Sequence, residues 1–289
     1  MRRLLLTLVV LFASGLATAT AEPIAIVAAE NFYGDVAEQV GGSAVKVTSI
    51  LTNPDQDPHL FEASASTARA LSAARIVIYN GADYDPWMSK LLSASHAAGR
   101  VTIEVAKLVG KKAGDNPHLW YDPPTMPALA RALAAQLAKL DLDRRADYDA
   151  RRDAFIASLK PIDDKIMALR QQYGGAAITA TEPVAGYMAD AIKLKVRNQR
   201  FQLAIMNNTE PGASEIAAFQ KDLKTRAVKV LLYNSQTSEE LTEKMRAIAR
   251  DSGVPVVGVT ETEPEGTKYQ NWVLSELGAL EAGLSGKQP

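Results

Sequence analysis

The chain has 289 residues, of which 47% are hydrophobic and 22% are charged, a balance that is ordinary for a soluble globular protein. Its 32 Lys and Arg residues nearly cancel its 33 Asp and Glu residues, and no basic stripe is present, so we expect no nucleic-acid partner. Cysteine is absent from the sequence, which excludes disulfides, Fe–S clusters, thiolate catalysis and cysteine-based zinc sites.

The sequence opens with the layout of a secretory signal peptide. Arg2 and Arg3 form a short positive region, the apolar run Leu4–Leu16 is too short to span a bilayer, and small residues offer a cleavage site before Glu22. An uncleaved membrane anchor is the alternative reading. We predict that 1–21 is removed and that the mature protein is periplasmic, with no cysteine available for lipid attachment.

The first half of the mature chain alternates short β-branched runs with segments of helical periodicity. Strands are predicted at 24–28, 45–51, 75–79 and 101–105, and helices at 31–40, 64–74 and 85–97. This alternation is typical of a parallel sheet with helices on both faces.

A highly charged segment, 144–173, follows. Its apolar residues recur close to the helical period, which predicts one long connecting helix, and Pro161 predicts a kink or an interruption within it. Such a helix is a stiff connector, unlike a Gly/Ser linker.

The second half repeats the alternation of the first. Strands are predicted at 176–180, 228–233 and 256–259, and helices at 184–192, 210–227, 239–251 and 269–284. We therefore predict an α/β protein of two lobes, 22–143 and 174–289, each a mostly parallel sheet flanked by helices. A cleft between two lobes is a common place for a ligand.

Two of the three histidines share a sequence context. His59 lies in "DPHLFE" and His118 in "NPHLWYD", so each follows a proline and precedes a leucine and an aromatic residue. Glu62 and Asp122 stand where a carboxylate could accept the second ring N–H and fix the tautomer. The repeated context favours a pair of metal ligands over two loop histidines with ordinary hydrogen bonds. His96, near a helix end, is predicted to be a surface or capping residue.

Two histidines do not saturate a metal ion, and without cysteine the other ligands must be oxygen or nitrogen donors. Glu182 and Glu261 each follow a predicted strand, and the carboxyl ends of parallel strands line the ligand crevice. Two imidazoles and two carboxylates would form a neutral site around a dication. The alternative for Glu182 is a charge at a helix N-terminus, and Glu263 and Glu265 compete with Glu261.

Around these residues the sequence resembles the metal-binding solute receptors of ABC importers for zinc and manganese, the cluster with one long helix between two lobes. Three stretches carry the resemblance, and it runs through the whole mature chain: "DPHLFEASASTARALSAARIVIYNGADYDPWMSKLL", "NPHLWYDPPTMPALARALAAQL" and "VLLYNSQTSEELTEKMRAIARDSGVPVVGV". The resemblance implies a monomeric receptor, not an enzyme, that captures Mn²⁺, Zn²⁺ or Fe²⁺ in the cleft. It also implies delivery of that ion to an ABC importer permease in the inner membrane.

The resemblance also assigns ligands. His59 and His118 match the first two, Glu182 stands where manganese-type receptors have glutamate and zinc receptors have histidine, and Glu261 matches a fourth ligand that is usually aspartate. The His-rich acidic loop of many zinc receptors is absent between the two histidines. Two imidazoles with two carboxylates form a hard ligand set that shifts preference toward Mn²⁺ or Fe²⁺, although Zn²⁺ also accepts these ligands.

Two other classes of function compete with this one. A periplasmic metallohydrolase would use the same ligands plus water, but no convincing general base, H-E-x-x-H or G-x-S-x-G motif is present. A receptor for a siderophore or a vitamin would predict an aromatic or Arg-rich cleft, whereas aromatic residues total only 6%.

Overall fold

Two parallel β-sheets form the framework of the computed structural model, which describes residues 22–53, 61, 64–95, 97–237 and 239–288. The predicted signal peptide, 1–21, lies outside these ranges. The strands of the described chain are β1 Ile24–Glu30, β2 Val45–Leu51, β3 Ile76–Tyr79, β4 Val101–Glu104, β5 Ala177–Ala180, β6 Lys195–Arg197, β7 Leu231–Asn234 and β8 Val256–Val259.

Each sheet has four strands within the described ranges, and every pairing is parallel. The strand order is β2-β1-β3-β4 in the first sheet and β6-β5-β7-β8 in the second. The predicted fold class, two α/β lobes with parallel sheets, is confirmed. The edge strand β6 was missed because its three residues are too few to show a period.

Helices flank both sheets. They are α1 Asn31–Gly41, α2 Ala65–Ala73, α3 Pro86–Ala94, α4 Val105–Leu108, α5 Thr125–Leu140, α6 Arg145–Ser158, α7 Lys160–Tyr173, α8 Gly186–Ile192, α9 Gln199–Met206, α10 Ala213–Lys224, α11 Glu240–Asp251 and α12 Tyr269–Leu284. In the described chain, no helix is both long enough and apolar enough to cross a membrane.

The segment between the sheets is a pair of helices that meet at Leu159. Pro161 lies in the first turn of α7, where its missing N–H costs little, and this accounts for the interruption that the sequence predicts. The first helix, α6, packs on α1 and α5, whereas α7 packs on α8 and α12. The domain boundaries 22–143, 144–173 and 174–289 stay a prediction.

Strand side chains alternate between two apolar layers. In β1, Ile26 and Ala28 join a large core that continues into the second half of the chain, while Val27 packs under α2 and α3. Aromatic rings carry the large core from one half to the other: the ring centroid of Phe32 lies 4.7 Å from that of Trp120 and 5.8 Å from that of Trp272. This continuous packing holds the ends of the two sheets against each other.

A separate hydrophobic cluster in the second half of the chain, which contains Phe201 and Phe219, offers a test of this layered packing. Phe219 is fully buried, with its ring centroid 4.5 Å from that of Phe201. Replacing a buried Phe by Ala removes apolar burial and leaves a cavity, so we expect Phe219→Ala to lower the free energy of unfolding in urea by about 3–5 kcal/mol. Leu203→Ala is the control, since Leu203 on α9 is 45% exposed and its loss should cost far less. Equal effects of the two changes would contradict this packing.

Candidate metal centre

The imidazole of His118 is fully buried in the segment between α4 and α5. Its Nδ1 lies 2.6 Å from the side-chain oxygen Oδ1 of Asn116, and the backbone N–H of His118 donates to the same oxygen at 3.1 Å. Because an amide oxygen only accepts, Nδ1 carries the ring proton and Nε2 presents its lone pair. That tautomer is the one a metal ligand needs.

Asn116 also connects the two halves of the chain. Its Nδ2 donates to the carbonyl oxygen of Pro183 at 2.8 Å, and Tyr187 Oη donates to the Asn116 carbonyl at 2.8 Å. A Cβ at Gly186 would lie 2.7 Å from Asn116 Nδ2, so glycine is required for this approach. The prediction that Asp122 accepts the second ring N–H of His118 is therefore wrong. The amide two residues upstream performs that role.

Glu261 approaches His118 from the second sheet. It follows β8, is 1% exposed, and its Oε2 lies 3.6 Å from His118 Nε2. Its other oxygen, Oε1, accepts a hydrogen bond of 2.5 Å from Asn234 Nδ2 at the end of β7. The Gln236 side-chain oxygen accepts a hydrogen bond from the Glu261 backbone N–H. The Tyr84 hydroxyl is close enough to the Glu261 carboxylate that, after burial, this charge is the largest cause of the raised pKa of Tyr84.

The separation of 3.6 Å matches two ligands of one metal ion. Two donor atoms that are each about 2.1 Å from a tetrahedral ion lie roughly 3.4 Å apart. Within the described ranges, His118 Nε2 is buried without a hydrogen-bond partner. A buried nitrogen lone pair facing a buried carboxylate suits a cation between them.

Glu182 lies at the end of β5 and is 5% exposed. Its Oε1 accepts a hydrogen bond of 2.8 Å from Thr237 Oγ1. Burial, reinforced by the Glu261 carboxylate, raises the pKa of Glu182 to about 7, although hydrogen bonds from Thr237 and Asn234 oppose the shift. Asn234 thus stands between the two carboxylates, and a bound cation would lower the cost of charging both.

Three of the four predicted ligands lie in the described part of the chain. His118 and Glu261 are in contact, and Glu182 joins Glu261 through Asn234. His59 lies outside the described residues, as do Glu62 and His96. In the part of the chain that is described, no three His, Cys, Asp or Glu side chains lie close enough to hold a metal ion. The ligand set therefore stays a prediction.

Glu263, the competitor of Glu261, points elsewhere. Its backbone carbonyl accepts from Asn31 Nδ2 at 2.7 Å, and its N–H donates to Asn31 Oδ1 at 3.1 Å. Its side chain lines a separate cavity of about 700 Å³ with Asp35 and Lys268. Burial and then the Asp35 carboxylate raise the pKa of Glu263 to about 8. The two glutamates thus have different surroundings.

A comparison with protein-family models identifies the family of this chain. The model of the ZnuA family, described as zinc-uptake complex component A, periplasmic, matches residues 26–283. This chain belongs to the ZnuA family.

Curated relatives extend along most of the chain. The metal ABC transporter substrate-binding lipoprotein SloC of Streptococcus mutans is 23% identical over 285 residues, covering 92% of this chain and 89% of its own. The manganese-binding lipoprotein MntA of Bacillus subtilis is 24% identical over 242 residues, which cover 80% of this chain and 78% of MntA. The iron ABC transporter substrate-binding lipoprotein MtsA of Streptococcus pyogenes is 22% identical over 267 residues, which cover 86% of this chain and 83% of MtsA.

Solved structures share the fold. The periplasmic zinc-binding protein TroA of Treponema pallidum superposes with a TM-score of 0.75 at 19% identity, covering 90% of this chain and 98% of its own. A crystal structure of ZnuA gives a TM-score of 0.70 at 23% identity, and the match covers 91% of this chain and 98% of the ZnuA chain.

Several polar residues of the centre were missed from the sequence. Asn234 ends a parallel strand, the position that singled out Glu182 and Glu261, so the same signal could have found it. Tyr84 had no such signal. It follows a turn in which Ala82 and Asp83 have φ of 50° and 63°, a backbone region that residues other than glycine seldom adopt.

A polar layer in the first sheet supports the His118 segment. Asn80 Nδ2 donates to the Pro117 carbonyl at 2.9 Å, and the Asp85 carboxylate accepts from the backbone N–H groups of Asn80 and Gly81 at 2.7 and 2.8 Å. Burial raises the pKa of Asp85 to about 6, and burial together with Asp85 raises that of Glu30 well above its ordinary value. Each of these two neighbouring carboxyls is therefore harder to ionise than an exposed acid.

The raised pKa of Glu182 gives a prediction for the metal-free protein. Since the folded pKa is about 7 and the ordinary value is 4.5, the stability contributed by the neutral carboxyl is fully present below pH 4.5 and is lost as pH rises through 7. Glutamine stays neutral, so Glu182→Gln should raise the free energy of unfolding at pH 8 by about 1–3 kcal/mol and by less at pH 5.

Urea unfolding of chelator-treated protein at the two pH values measures this difference. The exposed Glu240→Gln is the matched control and should change little at either pH. If Glu182→Gln is no more stable than the wild type at pH 8, the charged Glu182 carboxylate does not destabilise the metal-free protein and the prediction is wrong.

Proposed function

We propose that this protein is an extracytoplasmic receptor that captures one divalent transition metal ion between its two lobes and delivers it to an ABC importer. Membership of the ZnuA family supports the general role. The observation that carries the proposal is the buried contact between His118 and Glu261, which come from different halves of the chain and whose Nε2 and Oε2 atoms lie 3.6 Å apart.

The proposed ligands are His59, His118, Glu182 and Glu261. The contact with His118 favours Glu261 over Glu263 as the carboxylate from the last strand, because Glu263 turns toward Asp35. Two neutral imidazoles and two carboxylates balance a dication, which reduces the free-energy cost of burying its charge.

The captured ion is proposed to be Mn²⁺ or Fe²⁺ ahead of Zn²⁺. Two carboxylates make the ligand set harder than three imidazoles with one carboxylate would be. The relatives MntA, a manganese-binding lipoprotein, and MtsA, an iron ABC transporter substrate-binding lipoprotein, agree with a hard site. The ion is cargo in this role, so binding must be reversible.

Export to the periplasm and a membrane-embedded permease as partner complete the proposal. The N-terminal layout of Arg2, Arg3 and an apolar run supports export. We propose a monomer that is not an enzyme. Four protein ligands would close the coordination sphere, whereas catalytic zinc keeps a position open for water, so the metallohydrolase is the weaker alternative.

Metal titration tests the receptor directly. The mature protein, stripped of metal, is titrated anaerobically with Mn²⁺, Fe²⁺ and Zn²⁺ against a competing chelator, and we expect one ion per chain. His118→Ala and Glu261→Gln should each weaken binding by more than about 100-fold, because even the outer partners of metal ligands are worth about 10- to 100-fold. His59→Ala should do the same.

Glu263→Gln is the matched control, since it makes the same chemical change two residues from Glu261. It should leave the affinity close to that of the wild type. Loss of binding in Glu263→Gln but not in Glu261→Gln would overturn the fourth-ligand assignment, and binding unchanged in both His variants would overturn the site. Turnover of ester or peptide substrates by the metal-loaded protein would favour the hydrolase.

A further inference from the structure

A buried carboxyl on the last helix joins the two segments that carry His118 and Glu261. Glu276 lies on α12 and is 8% exposed, and burial to this extent is unusual for a glutamate that forms no ion pair within the described residues. The proposed receptor function does not use this group, and it is not a proposed ligand.

Each oxygen of Glu276 meets a different set of donors. Oε1 accepts from the backbone N–H of Thr260 at 3.0 Å, from its hydroxyl at 3.1 Å and from Trp272 Nε1 at 3.0 Å. Oε2 is hydrogen-bonded to the hydroxyl of Tyr121, which in turn lies 2.7 Å from the Thr260 carbonyl oxygen. The carboxyl therefore binds the N–H of Thr260 directly and reaches the carbonyl of the same residue through the Tyr121 hydroxyl.

The two bonded segments are those of the proposed ligands. Tyr121 closes the short turn that begins at His118, with its N–H bonded to the His118 carbonyl at 3.3 Å. Thr260 immediately precedes Glu261. The same turn has a second tie to α12, because Tyr269 Oη donates to the Trp120 carbonyl at 2.6 Å.

We propose that Glu276 is a positioning residue that fixes the spacing between His118 and Glu261 and so sets the affinity of the metal site. This inference rests on the proposed function. The bonds of Glu276 to Tyr121 and Trp272 are buried and those to Thr260 are partly buried, so we expect a change at Glu276 to reach the two ligand segments. The His118–Glu261 pair is then a preformed half of the site, which Glu182 and His59 complete.

The contact geometry predicts which replacement should be tolerated. The Tyr121 hydroxyl has one proton and two acceptors within reach, Glu276 Oε2 and the Thr260 carbonyl. In Glu276→Gln the amide oxygen can take the three donors of Oε1, while the amide nitrogen donates to Tyr121 and the tyrosine proton goes to Thr260. Leucine has a similar volume but keeps none of these bonds.

The test compares these two variants in the mature full-length protein. Chelator competition with Zn²⁺ should show a Kd about 10- to 100-fold higher in Glu276→Leu than in the wild type. This is the loss of affinity that typically follows mutation of the residues that support metal ligands. The visible absorption of bound Co²⁺, which reports the ligand geometry, should change with it. Glu276→Gln should retain both the affinity and the spectrum of the wild type.

Two further variants keep the test decisive. Tyr121→Phe removes one hydroxyl and should weaken binding in the same direction, and it decides the matter if Glu276→Leu does not fold. Glu281→Gln changes an acid on the same helix that pairs with Lys165 at 2.5 Å on the surface, and it should have no effect.

The outcomes separate this inference from the proposed function. A wild-type protein that binds none of Mn²⁺, Fe²⁺, Zn²⁺ and Co²⁺ overturns the receptor. A wild-type protein that binds, with folded Glu276→Leu and Tyr121→Phe showing the same Kd and Co²⁺ spectrum, overturns the positioning role and leaves the receptor standing. A lower unfolding temperature with an unchanged Kd and Co²⁺ spectrum also overturns it, since that result describes a purely structural group.

Discussion

The contact between the His118 imidazole and the Glu261 carboxylate is the constraint on which the rest of the structure depends. Both side chains are withdrawn from water, and they belong to different halves of the chain. Burying an anion next to a nitrogen lone pair is unfavourable unless something positive lies between them. The surrounding groups maintain this arrangement: Asn116 fixes the imidazole tautomer, and Asn234 occupies the other oxygen of the carboxylate.

Parallel sheet topology explains how these groups meet. All strands of a parallel sheet end at the same edge, so the residues after β5, β7 and β8 come together although they are far apart in sequence. The first sheet contributes the supports of the His118 segment through Asn80. The aromatic core around Phe32 and Trp120 then holds the two edges against each other.

Buried acids accumulate around this meeting point, and their raised pKa values have one physical origin. Burial is the largest cause for Glu182, Asp85 and Glu276, and hydrogen bonds only partly oppose it. A protein that holds such groups without a bound cation is under electrostatic strain. A dication relieves the strain at the proposed ligands, which couples metal binding to stability.

Much of this could be predicted from the sequence. The strand–helix alternation gave the fold class, the repeated Pro-His-Leu-aromatic context singled out His118, and the strand ends pointed to Glu182 and Glu261. The supports could not be predicted. Asn116 acts on Pro183, 67 residues away. Glu276 has the spacing of the buried face of α12, but that spacing does not identify the groups that it bonds. The partner of a buried polar group is set by tertiary contacts, and local sequence patterns do not contain them.

Anomalous diffraction from crystals of the metal-loaded protein, recorded at the absorption edge of the bound ion, tests the central claim most directly. The account predicts one peak between His118 Nε2 and Glu261 Oε2, about 2.0–2.2 Å from each, with Glu182 and His59 completing the coordination. A peak beside Glu263 and Asp35, or one that leaves His118 uncoordinated, would contradict it.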